Sequence, residues 1–115
     1  MKLPRGEDAI IPEGKIETYC LNVDHVVGGP KARVFASALG LTSKDVDVLR
    51  LSLVIAASGE EAVLFKQDRY GDHYRIDFRL RHASRERTIR SGWTIRTQGG
   101  PPYLATAFVL PFSYD

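Results

Sequence analysis

The sequence predicts an α+β fold: three N-terminal helices followed by a four-stranded antiparallel β-meander, with the helices packed on one sheet face. Three observations predict it. Before Gly59 the apolar residues recur at helical spacing, three and four apart. After it they alternate with polar residues, the period of a half-buried strand. Short clusters of turn-forming residues divide this second half into four segments.

Residues 1–11 read as an extended lead-in, with Ile10 and Ile11 pinned to the core. Pro12 suits a first helical turn, and Pro12 to Leu21 forms a short helix with Ile16, Tyr19 and Cys20 on one face. Cys20 is there a small buried hydrophobe. A loop from Asn22 to Gly29 leads to a second helix beginning at Pro30, with Ala32, Phe35, Ala36 and Leu39 as its stripe and Gly40 as its left-handed stop. Thr42 or Ser43 caps a third helix, with acids in the first turn. Its main stripe is Val46, Leu49, Leu53 and Ala57, widened by Val48, Leu51 and Ile55, so it is expected to be largely buried across the sheet.

The strands are Ala62–Asp68, His73–Arg81, Thr88–Thr97 and Tyr103–Leu110. In the second, Tyr74, Ile76, Phe78 and Leu80 alternate with Arg75, Asp77, Arg79 and Arg81; in the third, Ile89, Trp93 and Ile95 oppose Thr88, Arg90, Thr94 and Arg96. The fourth is apolar on both faces, which leaves the direction of Thr106 open. The whole chain, 1–115, reads as one domain with a helical half at 12–58 and a sheet at 61–110.

With 115 residues, 43% hydrophobic and 26% charged, the composition is that of an ordinary globular protein. No apolar run approaches the ~20 residues of a membrane span. The N-terminal residues show no secretory signal, and the single cysteine fits a reducing compartment. The expected location is cytoplasmic, with no membrane partner. No cofactor motif and no metal-ligand spacing occur among the His, Asp and Glu residues.

The net charge of +2 is small, but its distribution is uneven. Between Arg69 and Arg96 eight arginines face three acids. If the helices cover the Tyr74/Ile76/Phe78 and Ile89/Trp93/Ile95 face, Arg75, Arg79, Arg81, Arg90 and Arg96 share the opposite one. That is an electrostatic footprint for a polyanion such as RNA. A solvated strand face would carry the same residues. Tyr70, His73 and Tyr103 near the turns could stack on unpaired bases.

A second cluster is His25-Val26-Val27-Gly28-Gly29-Pro30-Lys31. Gly28 and Gly29 before a helix start let a phosphate approach backbone N–H groups; Lys31 adds a cation and His25 a titratable ring. These serve metal-independent RNA cleavage, which needs a base, an acid and cations for the charged phosphorane. A plain helix-start turn with a hydrogen-bonded histidine explains the spacing equally well. His73 and His82 flank turns and are expected at the surface.

The run Leu21-Asn22-Val23-Asp24-His25 through Gly28-Gly29-Pro30-Lys31-Ala32 to Phe35 resembles the signature of an uncharacterised bacterial domain family. Its members read L-N-x-x-H-x-x-G-G-x-K-A-x-x-F, and Thr88 to Ile95 with Pro102 to Phe108 is similar to their closing strands. Members occur alone and at the C-termini of polymorphic toxins, and their layout resembles the ribonuclease superfold of barnase, EndoU, colicin-type nucleases and RelE. The resemblance implies a ribonuclease toxin of a toxin–antitoxin or effector system. His25, Lys31, Arg90 and Thr106 are then its catalytic positions, RNA its substrate, and an antitoxin or immunity protein its partner. The alternative is a non-catalytic RNA-binding or immunity-like module.

Overall fold

Strand alternation in the second half of the chain builds one antiparallel sheet in the order β1-β2-β3-β4, formed by Val63–Asp68 (β1), Gly71–His82 (β2), Arg85–Arg96 (β3) and Tyr103–Val109 (β4). The computed structural model describes residues 1–111. Two-residue turns, Arg69-Tyr70 and Ala83-Ser84, join the first three strands, and Gly71 (φ +137°) makes the close approach to the Ile95 carbonyl that no Cβ would permit. Both long central strands run further towards their turns than the polar residues at their ends suggested.

Register decides the faces. Tyr74 lies opposite Trp93, Ile76 opposite Ser91 and Phe78 opposite Ile89, while on the far side Arg75 meets Gly92, Asp77 meets Arg90 and Arg79 meets Thr88. The first set is buried with Phe35, Leu39, Leu49 and Leu53 in a single core. The polar atoms within it are satisfied: Ser91 Oγ donates to the Ile76 carbonyl and accepts from Trp93 Nε1, each at 2.9 Å.

Two long helices cover this face: Gly29–Leu39 (α1) against β3 and β4, and Val46–Gly59 (α2) against β2. Gly40 stops α1 in the left-handed conformation (φ +68°). Ahead of α2, Thr42 and Asp45 form a reciprocal capping box around a 3-10 turn, Ser43–Asp45.

The helix expected at Pro12–Leu21 is a correction: only a five-residue π-helical turn, Ile16–Cys20, forms. Gly14 sits at φ +78°, outside helical space, so the segment has no room to start earlier. The lead-in also differs. Ile11 packs against the core as expected, but Leu3 is the buried hydrophobic residue of the lead-in, a 3-10 turn forms at Gly6–Asp8, and Ile10 is half exposed, held instead by its backbone to Pro102 and Leu104. The third correction concerns α2, which buries Leu49, Leu53, Ala56 and Ala57 but leaves Leu51 and Ile55 about 60% exposed, with Val54 also outward. A helix lying on a sheet can bury only one stripe, and these three residues fall on the other side. Among the described residues no helix is long and apolar enough to cross a membrane.

Candidate functional site

The helix-start cluster is built around the His25 ring. Its Nδ1 accepts hydrogen bonds from the backbone N–H groups of Val27 (3.0 Å) and Gly28 (2.9 Å), and its carbonyl accepts from Gly29. With Nδ1 an acceptor, the neutral ring carries its proton on Nε2. The edge of the ring meets Tyr19 at 5.0 Å. Both glycines are required by packing: a Cβ at Gly28 would lie 2.9 Å from the Tyr19 ring, and one at Gly29 would lie 2.7 Å from the Val23 carbonyl. Their N–H groups are used within the loop, and Pro30 has none, so this turn is closed on itself rather than open to a phosphate.

Lys31 leaves the cluster. It is exposed on the first turn of α1, and its Nζ lies 4.5 Å from the centre of the Phe108 ring on β4. Phe108 is the register partner of Arg90. Cys20, also near β4, is buried and its thiol is pushed up to about 11 by burial, which keeps it protonated and unreactive.

On the open face of the sheet a depression of about 190 Å³ is lined by Phe65, Arg75, Arg90, Gly92, Thr106 and Phe108, together with Ser91. Gly92 forms its floor, and a Cβ there would stand 3.1 Å from Thr106 Cγ2. Phe65 and Phe108 come from the two edge strands and stand on either side. Register settles the direction of Thr106, which sequence left open: it lies opposite Gly92, on the arginine face. Its Oγ1 is buried with no hydrogen-bond partner among the described residues. The Thr106 atom that stands over Gly92 is the Cγ2 methyl, so the hydroxyl reaches a ligand in the depression only after the side chain rotates.

All five arginines share the open face, but their states differ. Arg90 is clamped by Asp77 through two hydrogen bonds of 2.9 Å, which raise its pKa further. Arg79 donates to Thr88 Oγ1 and pairs with Glu86 at 3.6 Å. Arg96 stacks on Tyr103, and both line a second cavity with Ile10 and Pro12. Arg75 and Arg81 have no ion pair among the described residues. The structure thus gathers Arg75, Arg90 and Thr106 at one depression, with Lys31 one ring away; His25, Gly28, Gly29, Arg79, Arg81 and Arg96 do not line it.

One polar cluster on this face escaped the sequence. His73, expected at the surface, is held between Asp68 (Nε2 to Oδ1, 2.8 Å) and Thr94 (Nδ1 to Oγ1, 3.0 Å), with the Phe65 ring 6.3 Å away. The hydrogen bond from His73 holds the Asp68 carboxyl down at about 2. The signal was present in the Asp68–His73 spacing: a two-residue turn sets those positions diagonally across a hairpin. Tyr70 remains exposed at that turn.

A family described as a domain of unknown function, DUF6883, matches residues 2–111. The chain belongs to that family. The match spans both the His25–Lys31 helix start and the strands that form the depression, so both parts lie within one family domain. No curated protein matches the chain.

Proposed function

We propose that the protein is a metal-independent ribonuclease of the bacterial toxin kind, which holds a single RNA strand across the open sheet face and cleaves it at the Gly92 depression. The observation that carries this reading is the meeting of two distant parts of the chain: Lys31 lies over the ring of Phe108, the strand partner of Arg90, on the face where the Thr106 hydroxyl has no hydrogen-bond partner among the described residues. Two cations and a free hydroxyl around a concave, ring-flanked floor suit a phosphate with its base stacked alongside.

In this reading Arg90 and Lys31 hold the scissile phosphate and neutralise the phosphorane. Thr106 Oγ donates to a phosphate oxygen, and Arg75 binds the adjoining phosphate. The ribose 2′-oxygen attacks phosphorus as its proton leaves, the bond to the 5′-oxygen breaks, and that oxygen takes a proton from water, leaving a cyclic 2′,3′-phosphate and a 5′-hydroxyl. His25 does not line the depression, and its Nδ1 is taken up by two backbone amides, so it holds the helix start and takes no proton in this reading. Asp77 is the better acceptor: when Arg90 turns to the phosphate, the carboxylate it held is freed to take the 2′-hydroxyl proton.

A second reading, an RNA-binding module without catalysis, is favoured by the same His25 hydrogen bonds, because a ring fully used as a helix-start cap need do no chemistry. Incubation with RNA in EDTA separates the two. Cyclic phosphate ends formed by the wild type, and lost in Arg90→Ala and Asp77→Asn, support the ribonuclease. Retention of RNA without cleavage supports the module, and neither binding nor cleavage refutes both. Toxicity on expression, relieved by a neighbouring gene, would support the toxin context.

A further inference from the structure

β1 is shorter than the strand it borders. Its pairing with β2 begins at Val63 opposite Arg75, so β2 from Ile76 to His82 has β3 on one side and, among the described residues, no strand on the other. His82 and Arg85 flank a two-residue turn and therefore form a hydrogen-bonded pair, and every second residue back along β2 bonds to β3 as well. Asp77, Arg79 and Arg81 consequently aim their backbone N–H and C=O groups at the open edge. No backbone group outside the sheet takes them up among the described residues.

That edge has a wall. Ser52, Ile55 and Ala56 of α2, with Glu60, Phe78 and Arg79, enclose a groove of about 190 Å³ beside it. Ile55 is 60% exposed there, whereas Leu51 and Val54, exposed on the same helix, do not line the groove. The Arg79 and Arg81 side chains project from the other face of β2, and the exposed Arg81 has no ion pair among the described residues.

We propose that this edge docks an extended segment of a partner protein as an added strand of about five residues, alternately apolar and acidic. Strand alternation dictates that composition. Every second side chain of the added strand enters the groove against Ile55 and Phe78, and those between face Arg79 and Arg81. Charge on an edge strand ordinarily discourages pairing; here the arginines select a partner that supplies acids. The segment also covers two arginines of the open face, so its binding opposes that of a polyanion. The inference stands without the ribonuclease reading, because Asp77 takes part through its backbone alone.

The test uses a synthetic capped peptide, Glu-Val-Glu-Val-Glu-Val-Glu, with Lys-Val-Lys-Val-Lys-Val-Lys as its counterpart, and amide hydrogen exchange of the full chain without RNA. At saturating acidic peptide, exchange at the amides of Asp77, Arg79 and Arg81 slows at least tenfold, and the lysine peptide binds at least tenfold more weakly. Ile55→Lys weakens the acidic peptide at least tenfold, whereas Leu51→Lys, on the same helix but off the groove, leaves it within twofold. Unchanged exchange at the three amides overturns the proposal. So does protection confined to β1, equal binding of both peptides, or occupation of the edge by a second copy of the chain.

Discussion

Arg90 and Asp77 face each other across β2 and β3 and are joined by two parallel hydrogen bonds of 2.9 Å on the open face of the sheet. The pair holds a cation at the rim of the Gly92 depression with its charge already matched. Any anion entering there competes with a carboxylate for the same guanidinium.

Asp77→Asn therefore strengthens RNA binding, by roughly three- to tenfold at low salt, because it removes one negative charge and releases Arg90. Arg90→Ala weakens binding by a similar factor. Both side chains are about a third exposed, so the loss of the pair lowers stability by less than about 1 kcal/mol. Fluorescence anisotropy with a labelled oligonucleotide over a salt series measures the binding, and urea unfolding measures the stability. Equal affinity of Asp77→Asn and wild type would remove Arg90 from the interface.

Gly92→Ala places a methyl group against Thr106 Cγ2 on the floor of the depression. The sheet tolerates alanine in β geometry, so the fold persists. RNA affinity falls at least threefold as the cavity fills, and Gly92→Val lowers it further. Unchanged binding by a folded Gly92→Val variant would show that RNA does not enter the depression.

His25→Ala leaves the Val27 and Gly28 amides without their acceptor. The expected cost is about 1–2 kcal/mol in urea unfolding, the range of a lost helix-start cap. His25→Asn, whose side-chain oxygen can reach the same amides, recovers part of it. If both variants are as stable as wild type, the histidine is retained for chemistry and not for the turn.

Asp68 gives a pH signature. Its carboxyl sits at about 2, held there by His73, below its ordinary 3.8. Between these values the unfolded chain binds a proton that the native chain does not. The stabilisation is thus fully present above about pH 4 and is lost as pH falls towards 2. Thermal melts across pH 5 to 2 show that decline, and Asp68→Asn flattens it.

Ser91→Ala removes the acceptor of the Trp93 indole N–H inside the core. An unsatisfied buried donor costs about 1–3 kcal/mol, read as a lower urea midpoint with unchanged slope.

The strands were legible because alternation is a local property: Arg75 to Arg81 and Thr88 to Arg96 state their two faces in the residues themselves. The α1 stripe, its Gly40 stop and the Thr42 cap were legible for the same reason, since each concerns neighbours within one or two turns. Tertiary structure decided what depends on register and on competition for space. Whether Pro12–Leu21 made a helix depended on the backbone at Gly14, and how much of α2 was buried depended on the single stripe a sheet can cover. Sequence could nominate His25, Lys31, Arg90 and Thr106 together but could not say which would meet. Meeting is set by pairing between strands and by where a helix lands on them: it brought Lys31 to Phe108 and Thr106 to Gly92, and turned the His25 ring inward to its own loop.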